Sequence, residues 1–315
     1  MPPSEERVAI LGASSLDGLG AGFLQQYLET GRRQIVIVGR RLQALEEVRH
    51  AALEKTQGKR HPDAQVHIFV ADCTKPRDVL ELRGFIDMRM HGLDTLQIVF
   101  GVTSILPLLG LANADPCGVN ADDQKMTALQ ADAIGLDAIA QTVQQSSDSN
   151  LKGTALVLGA LIPMLQTTSK DPVVVATGSI AGLLPAPTRS VYCATKAAQH
   201  FLVDSVALEC QTQAGTPVPG TDKKRALVRF LLIAPGPIQN TFVAKYAVDS
   251  VAGPRDNRSK ALEVHDVVRT TLNKVDSVGS GLLVMPQYLF AAHLLSKFNV
   301  TKGITERIAH KMYRY

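Results

Sequence analysis

Residues 7–20 read Arg7-Val8-Ala9-Ile10-Leu11-Gly12-Ala13-Ser14-Ser15-Leu16-Asp17-Gly18-Leu19-Gly20. The short apolar run that ends at Gly12 reads as a buried strand. Helical periodicity takes over at Gly20 and lasts to Thr30, with Gly31 as its stop signal. Glycines between a strand and a helix allow a tight turn and the close approach of a phosphate. The helix start then offers free N–H groups and a partial positive charge to a pyrophosphate. A glycine-rich turn also serves an ordinary strand-to-helix connection, so by itself it does not establish a nucleotide site.

Working outward from this unit, strand and helix signals keep alternating. Strands are expected at Gln34–Gly39, Val66–Asp72, Leu96–Phe100, Pro172–Thr177 and Ala226–Ala234, with a seventh at Leu282–Met285. Helices are expected at Leu42–Lys55, 76–91, 151–167 and Val191–Gln213, with a helical pattern from Met126 to Val143. Strands apolar on both faces and separated by helices make a parallel sheet covered on both sides. Right-handed crossovers turn such a sheet into a doubly wound α/β fold. At about 150 residues per domain a chain of 315 would divide in two. Neither a repeat nor a low-complexity linker marks a boundary, so residues 1–315 are expected to form one domain, with an insert at 105–149 and an apolar tail at 286–315.

Composition removes several classes of function. Hydrophobic residues at 45% and charged residues at 20% exclude a mainly disordered chain. The net charge is only +4, the basic pairs Arg32-Arg33, Arg40-Arg41 and Lys223-Lys224 are dispersed, and Trp is absent, which argues against nucleic acid as a partner. Cys73, Cys117, Cys193 and Cys210 form no CxxC pair and no Cys/His cluster of zinc spacing, so reduced thiols and no metal site are expected. The polar start Met1-Pro2-Pro3-Ser4-Glu5-Glu6-Arg7 lacks the apolar core of a secretion signal, and no run of 18 apolar residues occurs. An intracellular, cytoplasmic protein is expected.

Two regions carry chemistry. The second strand ends in Gly39-Arg40-Arg41, where an NAD site usually has an acid for the ribose 2′-hydroxyl. Arginine pairs with a 2′-phosphate instead, which points to NADP(H); the competing reading is a solvated helix start. Asp72, after the third strand, is either an acceptor for an adenine amino group or a helix N-cap. At the other end, Tyr192 and Lys196 share a helix face at i and i+4. An adjacent ammonium lowers the high pKa of a phenol, so the pair can exchange a proton with a carbonyl or alcohol oxygen. Ser179 lies 13 residues before Tyr192, Asn150-Leu151-Lys152-Gly153 opens a helix further upstream, and Pro235-Gly236-Pro237-Ile238 follows the sixth strand.

On these residues the chain resembles the short-chain dehydrogenase/reductase family, over roughly residues 7–290. The resemblance implies a Rossmann fold and a catalytic set of Asn150, Ser179, Tyr192 and Lys196. Tyr192 would be the general acid/base, Lys196 would lower its pKa and hold the nicotinamide ribose, Ser179 would orient the carbonyl, and Asn150 would support a water relay behind Lys196. Gly12, Ser14, Ser15, Gly18, Leu19 and Gly20 would line the pyrophosphate of NADP(H), Arg40 and Arg41 the 2′-phosphate, and Asp72 the adenine. Pro235, Gly236, Ile238 and Thr241, or Asn240 in its place, would meet the cofactor after the sixth strand. Two departures stand out. The turn Gly12-x5-Gly18-x-Gly20 is two residues longer than the family's GxxxGxG, and Phe100-Gly101-Val102-Thr103 stands where the family has Asn-Asn-Ala-Gly.

The insert either caps the substrate cleft or decorates the outside, and residues 238–262, with Phe242 and Tyr246, occupy the place of the family's lid. The apolar stretch 282–298 with basic residues after it packs on its own domain or a dimer partner, or rests on a membrane surface. The helices 151–167 and 191–213 correspond to those through which the family dimerises, so a homo-oligomer is expected. The expected function is NADP(H)-dependent interconversion of a carbonyl and an alcohol on a small hydrophobic molecule. The alternatives are a non-catalytic NADP(H) sensor or scaffold and, less well fitted, an epimerase or dehydratase acting on a nucleotide-linked sugar.

Overall fold

The strand runs quoted above alternate in which side chains they send to each face, and a computed structural model covering residues 7–114, 130–249 and 261–296 reproduces that alternation in its core. Seven strands form one sheet: β1 (Arg7–Leu11), β2 (Gln34–Gly39), β3 (Gln65–Val70), β4 (Thr95–Ile98), β5 (Val173–Thr177), β6 (Arg229–Pro235) and β7 (Gly281–Met285). Their order is β3-β2-β1-β4-β5-β6-β7, with every neighbouring pair parallel. The order reverses between β1 and β4, and in a doubly wound sheet the crevice at such a reversal, beyond the carboxyl ends of the strands, is where ligands bind.

Ten α-helices flank the sheet among the described residues: α1 (Leu19–Glu29), α2 (Leu42–Lys55), α3 (Pro76–Met90), α4 (Leu108–Leu111), α5 (Ala133–Ser147), α6 (Thr154–Thr168), α7 (Ser190–Gln213), α8 (Phe242–Tyr246), α9 (Val264–Asp276) and α10 (Tyr288–Ser296). On one face Ala9, Leu11, Val36 and Val38 pack with Leu82, Leu161, Leu165 and Val203. On the other, Val8, Ile10, Ile35 and Ile37 pack with Phe23, Tyr27, Leu45 and Val268. Both faces of β1 and β2 are therefore sealed by side chains one residue apart. None of the helices among the described residues is long and apolar enough to cross a membrane.

Several boundaries differ from the sequence expectation. The helix expected at 151–167 does not start from a cap at Asn150. A π-helical turn, Asp148–Gly153, joins α5 to α6 without a break. The polar run Ser146-Ser147-Asp148-Ser149-Asn150 reads as a loop, but Ser146, Asn150 and Thr154 are buried, and their packing carries the helix through. β3 stops at Val70 and β4 at Ile98, each two residues short of expectation, and β6 starts at Arg229, three residues late. In the insert, α5 begins at Ala133, capped by the Asp132 carboxylate, which accepts from the Gly135 N–H at 2.6 Å. The start of the Met126 pattern, like Cys117 and the end of the tail, lies outside the described residues.

Candidate active site

A cavity of about 630 Å³ opens at the switch point, lined from the carboxyl ends of β1, β2, β3, β4, β5 and β6. Its nucleotide end is built by glycine. Gly12 has φ +99, and a Cβ there would lie 2.5 Å from the Phe100 nitrogen, so only glycine fits. Gly18 is the N-cap of α1, no side chain caps that end, and no acid sits in its first turn. Ser14, Ser15, Leu19, Arg40 and Asp72 line the same end. Asp72 serves a turn of its own, its carboxylate accepting from the Thr74 N–H at 3.0 Å and the Thr74 hydroxyl at 2.8 Å. Burial pushes its pKa up, but these bonds and the charges of Arg40 and Lys75 outweigh burial and hold it below the usual value.

At the chemical end, Ser179 follows β5, Tyr192 and Lys196 lie near the start of α7, and all three line the cavity. Lys196 is 3% exposed. Its Nζ donates to the Thr177 carbonyl at 3.0 Å and to Gln199 Oε1 at 2.9 Å, and burial lowers its pKa to about 7. Ser179 Oγ accepts from the Ala181 N–H at 3.1 Å, and the Ser179 N–H donates to His200 Nε2 at 3.2 Å. His200 sits between two glycines: a Cβ on Gly178 would lie 2.1 Å from Nε2, and one on Gly182 2.6 Å from Cε1.

Asn150 lies behind the cavity, fully buried in the π turn. Its Oδ1 accepts from the Val102 N–H at 2.9 Å, and its Nδ2 donates to the Val102 carbonyl at 3.0 Å and to Thr195 Oγ1 at 3.1 Å. Insertion of an extra residue into a helix turn re-aims a side chain. Here it sends an amide across to the end of β4, where Phe100-Gly101-Val102-Thr103 replaces the family's polar quartet. The strand end that lacks Asn-Asn-Ala-Gly is thus held by a two-point amide clamp.

The segment after β6 crosses the mouth of the cavity, bridges Thr103 through backbone hydrogen bonds at Tyr246 and Val248, and is fastened through side chains at three places. The Thr241 N–H donates to the Asp17 carboxylate at 2.6 Å, and Lys245 Nζ lies 3.7 Å from it. Arg41 Nη2 donates to the Tyr246 hydroxyl and the Ser14 carbonyl, both at 2.9 Å. The Asp249 carboxylate accepts from Ser104 Oγ at 2.6 Å and from the Ile105 and Leu106 N–H groups at 2.8–2.9 Å. Burial works to raise the Asp17 pKa, but the hydrogen bonds from Thr241 and Ser15 and the charge of Lys245 prevail and hold it at about 2.

Comparison with known proteins bears on the family resemblance and the fold. A model of the short chain dehydrogenase family matches residues 127–250, which carry Asn150, Ser179, Tyr192 and Lys196. Over that segment the chain is similar to the short-chain dehydrogenase/reductase family. Human 17-beta-hydroxysteroid dehydrogenase type 1 is 38% identical over 77 residues, which cover 24% of this chain and 22% of that protein. In fold, a short-chain dehydrogenase/reductase from Burkholderia phymatum in complex with NAD is similar at TM-score 0.70 and 18% identity, covering 95% of this chain and 96% of that one. An alcohol dehydrogenase from the archaeon Thermococcus sibiricus complexed with 5-hydroxy-NADP gives 0.63 and 17%, over 89% and 96%. Levodione reductase gives 0.65 and 19%, over 91% and 98%.

The residues present fit the nicotinamide dinucleotide that the family resemblance implies. Among the described residues, no side chain caps the first turn of α1, and the buried Thr177 hydroxyl, at the cavity wall, has no hydrogen-bond partner. Of the expected site residues, Gly12, Ser14, Ser15, Gly18, Leu19, Arg40, Asp72, Ser179, Tyr192, Lys196, Pro235, Gly236 and Ile238 line the cavity. Four do not. Asn150 backs it, Gly20 is buried within α1, Arg41 is turned to the lid, and Thr241 gives its N–H to Asp17 while Asn240 lines the wall. Sequence reasoning missed Thr177, His200, Gln199, Thr103 and Asp249. Gln199 and His200 fall one turn after Lys196 on the same helix face, the one signal that points to them.

Proposed function

We propose that the protein is an NADP(H)-dependent oxidoreductase that interconverts a carbonyl and an alcohol on a hydrophobic substrate. The observation that carries this reading is the convergence of Ser179, Tyr192 and Lys196 on the cavity whose far end holds the glycine turn and Arg40. The nicotinamide ring, when bound, supplies or accepts the hydride. Tyr192 passes its hydroxyl proton to the carbonyl oxygen in reduction and takes it back in oxidation. The Lys196 ammonium stabilises the phenolate. Ser179 donates its hydroxyl to the reacting oxygen, with its backbone held by His200. Asn150 keeps the end of β4 and the start of α7 in register through Val102 and Thr195. Gly12, Gly18 and the first turn of α1 would hold the pyrophosphate and Arg40 the 2′-phosphate. Solved relatives are named with NAD as well as NADP, so the preference for NADP(H) rests on Arg40. The apolar lining from Val102, Ile180, Phe242 and Val243, and the likeness to a hydroxysteroid dehydrogenase, support a hydrophobic substrate.

Residues 1–315 are read as one domain, since one sheet carries every described strand. The exposed Phe201 and Leu208 on α7 support a homo-oligomer, and the exposed Tyr288, Phe290 and Leu294 on α10 support a peripheral membrane contact. Chain mass in solution and co-sedimentation with vesicles test these two readings.

The decisive experiment is a turnover screen of ketones and alcohols with NADPH and NADH, comparing wild type with Tyr192→Phe. The expected result is NADPH-preferring turnover that falls about 10²–10⁴-fold in the variant. Equal rates in both proteins overturn the role of Tyr192, and stronger NADH binding overturns the Arg40 argument. One observation favours the second reading, a non-catalytic NADP(H) sensor: a lid fastened across the cavity by a carboxylate in the phosphate turn itself. That reading predicts NADPH binding, seen by fluorescence, with no turnover in the screen.

A further inference from the structure

Gln199 has no part in the proton transfer derived above, yet it is fully buried and touches the residue on which that transfer depends. Its Oε1 accepts from Lys196 Nζ at 2.9 Å. Its Nε2 donates to Thr154 Oγ1 at 3.0 Å, and that hydroxyl donates to the Asn150 carbonyl at 2.8 Å. The chain Lys196–Gln199–Thr154–Asn150 consists entirely of protein groups and joins the two helices across the back of the cavity. It occupies the side of Lys196 where the family resemblance implies a water relay.

The chemistry of this contact is specific. A buried ammonium is expensive unless its protons are taken by good acceptors. Lys196 has three N–H donors. One meets the Thr177 carbonyl and one meets Gln199, which leaves the third for the cavity. Lys196 forms no ion pair among the described residues. The titratable groups around it are Tyr192 and His200 on its own helix, with His293 of α10 beyond His200 and Arg189 at the start of α7. From β4, β5 and the π turn, the groups that face it are neutral: Gly101, Thr177 and Asn150. A neutral amide oxygen therefore does what a carboxylate does elsewhere, without cancelling the positive charge.

We propose that Gln199 is a positioning residue of the proton-transfer site, whose amide oxygen keeps the Lys196 ammonium charged and aimed while its amide nitrogen ties it through Thr154 to the turn carrying Asn150. This inference rests on the reading of Lys196 as the group that stabilises the Tyr192 phenolate. Gln199→Met keeps the length and removes the acceptor, so the ammonium retains a single protein acceptor and gives up its proton more readily. Gln199→Glu keeps the acceptor and adds an opposing charge, so the ammonium is held more firmly but its field at Tyr192 is offset.

The test follows the Lys196 side chain directly, in the full-length protein without cofactor. The protein is labelled with ¹³C-lysine, and the Cε resonance of Lys196 is identified by its loss in Lys196→Met. Its titration midpoint is expected to fall by about one pH unit in Gln199→Met and to rise by about one unit in Gln199→Glu. In the active enzyme the apparent pKa of alcohol oxidation is expected to rise in both, because Tyr192 loses net positive charge nearby in either case. Midpoints that stay at the wild-type value in both variants overturn the inference, even if activity falls, because a purely structural role lowers activity without moving a titration. Turnover independent of Tyr192 overturns the proposed function instead, and the titration still reads Gln199. Two variants of opposite charge effect keep the test open if one of them fails to fold.

Discussion

His200 offers a stability experiment whose size follows from the structure. Its ring is 4% exposed, and Nε2 accepts the Ser179 N–H, so the neutral ring carries its proton on Nδ1. Protonation would use the Nε2 lone pair that Ser179 needs and would leave a cation buried beside Lys196. Burial first, then the charges of Lys196 and His293, lower the His200 pKa from 6.5 to about 3. Between those values the unfolded chain binds a proton that the folded chain refuses, so stability rises with pH. The contribution is complete above the unfolded pKa and is lost as pH falls toward the folded one. Each unit inside the window is worth about 1.4 kcal/mol, so two units of acidification below the unfolded pKa remove roughly 2–3 kcal/mol.

The perturbation is His200→Gln, which keeps an acceptor for Ser179 and cannot titrate, with His200→Leu as a companion. The assay is reversible urea denaturation of wild type and variants from neutral pH down through the window. Absolute stabilities will differ because repacking differs, so the quantity read is the slope. Wild type should lose about 1.4 kcal/mol per unit more than either variant. Lys196 does not contribute, because its pKa of about 7 lies above this range and the group stays protonated in both states. Parallel curves for wild type and both variants would falsify the claim that a neutral His200 holds Ser179.

Three further outcomes are expected. Asn150→Ala removes three side-chain hydrogen bonds and leaves the Val102 N–H and carbonyl without their partner, which should cost about 2–4 kcal/mol in urea denaturation; a loss near zero would mean that the clamp on β4 is idle. Asp249→Ala unfastens one end of the lid, so limited trypsin digestion should cut after Lys245 roughly fivefold faster or more, the opening of a local unit being its own equilibrium; an unchanged rate contradicts the lid reading. Gly20→Ala would put a Cβ 2.7 Å from the Ala13 Cα and the Gly12 carbonyl, both backbone, and should lower stability by about 2 kcal/mol or more, whereas Gly84→Ala meets nothing within 4 Å in α3 and should raise it by about 0.5–1 kcal/mol. Thermal denaturation of the pair, read as shifts of opposite sign, checks both.

What the sequence could and could not announce divides along the range of the interaction involved. Each strand of the sheet was legible because a buried parallel strand needs apolar residues on both faces, and Val8-Ala9-Ile10-Leu11 or Ile35-Val36-Ile37-Val38 satisfy that locally. Ser179, Tyr192 and Lys196 were legible because their spacing places them at one end of that sheet. Asn150 is legible through the family resemblance, but the π turn that carries it is not, since the groups that meet Asp148–Gly153 include Phe100 and Val102, about 50 residues away. The lid fastenings were hidden for the same reason. Asp17 and Thr241 are 224 residues apart, and Ser104 and Asp249 are 145 apart, so nothing in either neighbourhood marks the other. Gln199 and His200 are the instructive middle case. They were within reach of helix periodicity, at i+3 and i+4 from Lys196, but a polar side chain on a buried face is ordinarily read as a satisfied core group. Only the partners, a lysine ammonium on one side and the Ser179 amide on the other, distinguish this glutamine and histidine from ordinary core groups.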